Sequence, residues 1–241
     1  MAKKQFILTI DTETTISDKV VDFGAIVTDK KGIIQTQCAV LIGAFYIDPE
    51  NHQLFYDYTS DVNSIWNKAS IERRRANYDT MLQTGTRMLC SVNGINRWLE
   101  KVAATFNPHL TAYNLPFDVD KCQKTGIDLT LFPKRFCLWG AASQRWGHTK
   151  KYLQFALEQH AFNNRTALGN MSIKANAEIM ARFVLNEPDL IDEPHTALED
   201  IIGYELPILK AIVKGKKLSS LESLKPRSWQ QNQLKDHFSA K

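Results

Sequence analysis

The chain has 241 residues, 44% hydrophobic and 23% charged, enough to bury one sizeable core without covalent staples. Its four cysteines, Cys38, Cys90, Cys122 and Cys137, lie far apart and form no CxxC pair, which suggests neither a zinc site nor a disulfide framework. The formal charge is +4, and the segment from Lys214 to Lys241 carries seven Lys/Arg against two acidic residues, so the basic character lies in the tail.

The opening MAKKQFILTI has too short an apolar run for a signal-peptide core. The apolar stretch Cys38 to Ile47 is about half what a membrane-spanning helix needs. A cytoplasmic protein with no membrane partner is the expectation.

In chain order, Phe6 to Ile10 reads as a first strand and Val20 to Thr28 as a second. The turn chemistry of Asp29-Lys30-Lys31-Gly32 leads into a third, Ile33 to Ile42, joined to the second as a hairpin. Ile95, Trp98, Leu99, Val102 and Phe106 then repeat at helical spacing. A short strand, Leu110 to Tyr113, precedes a helix with Pro116 near its start and Gly126 just past its end. Arg135 to Trp139 makes a fifth strand, and the remainder reads as helices over Tyr152 to Phe162, Ser172 to Leu185 and Ala197 to Val213.

This order predicts an α/β fold, a mixed five-stranded sheet flanked by helices. Residues 1–213 form the domain, Ala44 to Leu89 is an insertion with a helix over Ser64 to Leu82, and residues 214–241 are a basic extension.

Three segments carry chemistry. Asp11 and Glu13 end the first strand, and residues two apart on a strand face the same side. Carboxylates closing an apolar strand are costly unless paired or metal-bound, and such clusters hold the two cations, roughly 3.5 to 4 Å apart, that clamp a phosphodiester. Asn114-Leu115-Pro116-Phe117-Asp118 sets Asp118 in a first helical turn, where the helix dipole favours negative charge. In Pro194-His195-Thr196-Ala197-Leu198-Glu199-Asp200, Thr196 and Glu199 have capping-box spacing. His195 then lies on a loop, and Asp200 one turn inside a helix. A histidine there, with an ordinary pKa near 6.5, suits proton abstraction from water.

Taken singly, each segment has a plain structural reading: a solvated strand end, a dipole partner and a capped helix. Together, Asp11-Thr12-Glu13-Thr14-Thr15, Asn114-x-x-Phe117-Asp118 and His195-x4-Asp200 resemble the three ordered motifs of the DEDDh family of 3'→5' exonucleases. Val20-Val21-Asp22-Phe23-Gly24-Ala25 is similar to that family's second strand.

The resemblance implies a ribonuclease H-like fold, two Mg²⁺ or Mn²⁺ ions and release of nucleoside 5'-monophosphates. Asp11 would bridge both ions, Glu13 and Asp200 would complete one site, Asp118 would support the other, and His195 would activate the water. Thr12, Thr14, Asn114 and Phe117 would form the substrate-binding set, with Thr14 and Phe117 contacting the terminal nucleotide and Asn114 shaping its pocket. The chain departs from the family at Ile16, where a glycine is common, and in the Ala44 to Leu89 insertion.

The expected partner is nucleic acid with a free 3' end, single-stranded DNA ahead of RNA. A replication protein enters as a partner by analogy alone. Trp66, Arg73, Arg74 and Arg75, with Lys214, Lys216, Lys217 and Arg227, would supply stacking and phosphate contacts; alternatively, Trp66 is core and the arginines a solvated helix face. The rival functions are a 3'→5' exoribonuclease and a non-catalytic module gripping 3' ends.

Overall fold

The computed structural model describes residues 4–15, 17–47, 68–163 and 172–224, the side chains of 68–71, 163 and 172 excepted. Strands β1 (Phe6–Thr14), β2 (Val20–Asp29) and β3 (Ile34–Ile42) form an antiparallel meander. Gly32, at φ 80°, closes the turn between β2 and β3, a backbone region that favours glycine. β2 is buried along its whole length, as befits a strand covered on both faces.

The chain then forms α1 (Gly43–Tyr46), α2 (Lys68–Thr84), β4 (Met88–Cys90), α3 (Val92–Phe106), β5 (His109–Ala112), α4 (Leu115–Thr125) and β6 (Arg135–Cys137). β5 runs parallel to β1, β6 parallel to β5 and β4 parallel to β3. The sheet order is β4-β3-β2-β1-β5-β6. Among the described residues this sheet has six strands where the sequence predicts five: the insertion returns as β4 along the edge of β3. A three-residue strand carries too little periodicity to be read in advance.

Helices α5 (Leu138–Ala142), α6 (Lys150–Glu158), α7 (Ala177–Leu185), α8 (Ala197–Asp200) and α9 (Leu206–Val213) complete the main elements. Alternation along β1 divides the core. Ile7 faces Phe136, Tyr152, Met180 and Ile208, while Leu8 and Ile10 face Leu99, Leu110 and Phe132.

Two expected helices are shorter than their sequence patterns. α6 ends before a turn in which His160 has φ 50°, and Phe162 enters a two-residue strand, β7 (Phe162–Asn163). β8 (Ser172–Ile173) pairs with it antiparallel, so α7 starts only after Asn176. Asn107, Gly126 and Asn186 end α3, α4 and α7 in the left-handed conformation.

The start of the basic extension packs on the domain, with Leu218 and Leu221 joining the main core and Glu222 pairing with His109 at 3.0 Å. Among the described residues, no helix is long and apolar enough to cross a membrane. Ile16, Trp66 and Arg227 lie outside the described residues.

Candidate metal centre

The topology brings the three segments to one end of the sheet's central strands. Because β5 runs parallel to β1, the chain leaving β5 emerges where β1 ends, and ligand sites form beyond such carboxyl ends. Asn114 is the N-cap of α4, Pro116 lies in its first turn and Asp118 follows in that turn. The Thr12 hydroxyl donates to Asp118 Oδ1 at 2.9 Å, tying α4 to β1. Thr12 and Thr14 are buried. Asn114 and Phe117 are exposed, and the Lys121 ammonium lies 5.0 Å from the centre of the Phe117 ring.

On the other side of the sheet, α8 lies directly on β2. A Cβ on Gly24 would come within 2.6 Å of the Ala197 carbonyl carbon and the Leu198 nitrogen, so only glycine allows this approach. Thr196 is the N-cap of α8, as its spacing predicts, but its side chain makes no capping bond. Asp22 Oδ2 accepts the Ala197 N–H at 2.9 Å instead. The predicted capping box is replaced by a capping carboxylate from β2, while Glu199 turns to Arg87. The Arg87 guanidinium, with no side-chain exposure, bridges Asp22 at 3.0 Å and Glu199 at 2.5 Å.

Glu13, His195 and Asp200 meet at the end of β1, with one potential ligand atom from each all within 4.8 Å of one another. Beside the pair Glu13↔Asp22, β2 carries an extra residue, because the next partners are Thr14 and Val20; such bulges re-aim side chains at strand ends. His195 has φ 55°, a left-handed conformation that costs a non-glycine residue about 1 kcal/mol or more. Its carbonyl accepts the Tyr78 hydroxyl from α2 at 3.4 Å.

The acids destabilise one another's charged forms. Burial, then the neighbouring Asp22, pushes Asp11 up to about 7. Burial, then Asp11, raises Glu13 and Asp118 well above the carboxylate range. Asp200 is pushed up to about 10 by burial, Asp11 and Glu13, and its Oδ1 is buried with no hydrogen-bond partner among the described residues. Burial, then the positive charge of Arg74, lowers His195 to about 4, so its imidazole is neutral at neutral pH.

Two further acids join the cluster without having been foreseen. Glu193 is pushed up to about 8 by burial and by Asp11. Glu205, buried, is raised by burial, Asp11 and Asp118; its Oε1 accepts the Tyr113 N–H at 3.3 Å and its Oε2 has no hydrogen-bond partner among the described residues. Glu205 closes a π-helical turn, Ile201–Glu205, that follows Asp200 directly. Bonding from i to i+5 brings a residue five positions on round toward the same face. Pro207, inside the predicted Ala197 to Val213 helix, is the sequence signal for that irregularity, since proline disrupts regular helical bonding.

The donor set consists of hard oxygens and one imidazole, and it holds buried, mutually repelling acids. Such a set could hold a metal ion. The chain matches no protein-family model, no curated protein and no solved structure.

Proposed function

We propose that this chain is a metal-dependent 3'→5' exonuclease with a ribonuclease H-like domain, hydrolysing phosphodiesters from a 3' end, on single-stranded DNA ahead of RNA. The observation that carries the reading is the meeting, at the end of β1, of acids from three distant segments beside a neutral histidine. The antiparallel meander continued by parallel β5 and β6 agrees with the sheet that the resemblance implies.

Asp11, Glu13, Asp118 and Asp200 would hold the cations, which supply charge neutralisation at the phosphate and a water of lowered pKa. Burial keeps the His195 imidazole unprotonated and able to accept a proton from that water. The exposed Asn114 and Phe117 would receive the terminal nucleotide, and the buried Thr12 would steady Asp118 through its hydroxyl.

The deciding experiment offers matched 5'-labelled and 3'-labelled DNA and RNA oligomers with Mg²⁺, with and without EDTA. Stepwise shortening of 5'-labelled DNA, abolished by EDTA, is the expected result. Faster shortening of RNA would make the chain an exoribonuclease. Binding to 3' ends without cleavage would favour a non-catalytic module.

A second reading concerns the metal alone. The closeness of His195 to Glu13 and Asp200 favours a site in which the imidazole is itself a ligand of a single cation.

A further inference from the structure

The inserted helix α2 reaches the acid cluster. Its buried face carries Arg74 and, one turn later, Tyr78, a spacing that places both side chains on the same side of a helix. Tyr78 is fully buried, packs edge-on against Tyr46 with ring centres 6.3 Å apart, and donates its hydroxyl to the His195 carbonyl. Arg75 lies 5.2 Å over the Tyr46 ring, and Arg73 is exposed. Of the three consecutive arginines only Arg74 turns inward, 7% exposed, with its charge acting on Glu13, Asp200 and His195. The expectation of a solvated arginine face therefore fails at Arg74.

Resting on the phosphodiesterase reading above, we propose that Arg74 is a substrate ligand: its guanidinium binds a non-bridging oxygen of the phosphate held beside Glu13, Asp200 and His195. An arginine fork matches phosphate geometry, keeps its charge at any working pH and is more weakly hydrated than an ammonium. The chain already shows the other use of a buried arginine at Arg87, which locks Asp22 to Glu199. Arg74 instead stands on the cluster's own side, where the carboxylates it faces are those expected to be neutralised by cations. With cations on those carboxylates, its charge would also act on the incoming phosphate. In hydrolysis that charge would oppose the negative charge that grows on the phosphoryl oxygens as water's oxygen bonds to phosphorus and the 3' oxygen leaves.

The test compares wild type with Arg74→Gln and Arg74→Lys, reading Mn²⁺ affinity by calorimetry and, at saturating Mn²⁺, the affinity for a nucleoside 5'-monophosphate. The expected result is Mn²⁺ affinity within about fivefold of wild type and 5'-monophosphate binding weakened by about tenfold or more in Arg74→Gln. Arg74→Lys, which keeps the charge and loses the fork, should fall between; it carries the test if the glutamine variant does not fold, again with clearly weakened nucleotide binding expected. Nucleotide affinity equal to wild type in the folded variants overturns the proposal. So does a gain in Mn²⁺ affinity beyond about fivefold without loss of nucleotide binding, since Arg74 would then be a counter-charge to the acids. Wild type that binds the nucleotide but cleaves no oligomer would sink the exonuclease reading and leave Arg74 to be judged by binding. Failure of wild type to bind the nucleotide ends the Arg74 proposal.

Discussion

Asp22 on β2 accepts the backbone N–H of Ala197 at 2.9 Å, so the helix carrying Asp200 is capped from the sheet. The same carboxylate is paired with Arg87, both side chains fully buried. Removing one partner of a buried pair leaves an uncompensated charge, typically at a cost of about 3 to 5 kcal/mol. Arg87→Met should therefore lower the unfolding free energy by about that amount, measured by urea titration. Because α8 also loses its anchor, Mn²⁺ affinity should fall. A variant as stable as wild type would show that Asp22 is not dependent on this partner.

Gly24→Ala tests the close approach of α8 to β2. The added methyl would meet backbone atoms at 2.6 Å, and backbone cannot yield as a flexible side chain can. Overpacking of this kind costs about 1 to 3 kcal/mol. Calorimetric melting should show the loss, accompanied by weaker cation binding as Asp200 shifts. Unchanged melting and unchanged cation affinity would together contradict the packing described.

The acids give the cation-free protein a defined pH dependence. Asp11 rises to about 7, Glu193 to about 8 and Asp200 to about 10, above their unfolded values. Between about pH 4 and pH 10 the folded chain thus holds more protons than the unfolded one, and stability falls as pH rises through that window. Cation binding needs the charged carboxylates and releases those protons. The gain in melting temperature on adding Mn²⁺ should accordingly be larger at pH 8.5 than at pH 6. An equal gain at both pH values would argue against cation binding by these acids.

Much of the site is legible in the sequence, because strand alternation, a proline in a first turn and a capping spacing place Asp11, Glu13, Asp118 and Asp200 on definite elements. What escapes is what depends on contacts between distant segments. Nothing local links Arg87 to Asp22, and the burial of Arg74 depends on how α2 docks. Glu205 is hidden for another reason: regular α-helical spacing from Asp200 would point it elsewhere, and the π turn redirects it. The strand count fails at β4, where three residues pair with an edge that only the fold creates.

Glu205→Gln separates a buried carboxylate from its shape. The amide oxygen can still accept the Tyr113 N–H, now made to Oε1 at 3.3 Å, while the charge that repels Asp11 and Asp118 is gone. Because burial holds the wild-type carboxyl well above its unfolded value, its cost to the folded state grows with pH, and the stability advantage of the variant in urea titration should be larger at pH 8.5 than at pH 5. If the variant is less stable at the higher pH, the glutamate charge must have a favourable partner rather than the acids described.

His195 decides between the two readings of the metal site. As the base, it accepts a proton from water and holds no cation, so His195→Ala should slow hydrolysis by about 10² to 10⁴ and leave Mn²⁺ affinity nearly intact. As a ligand beside Glu13 and Asp200, within the 4.8 Å grouping, its removal should weaken Mn²⁺ binding itself. Calorimetry on wild type adds the stoichiometry, two ions for the first arrangement and one for the second. Asp11→Ala should abolish turnover under either, because this acid acts electrostatically on Glu13, Asp118 and Asp200 alike. Asp200→Asn should weaken cation binding in both. Wild-type hydrolysis by His195→Ala would remove the base, whereas weakened binding with one ion per chain would make the imidazole a ligand and leave proton abstraction to another group of the cluster.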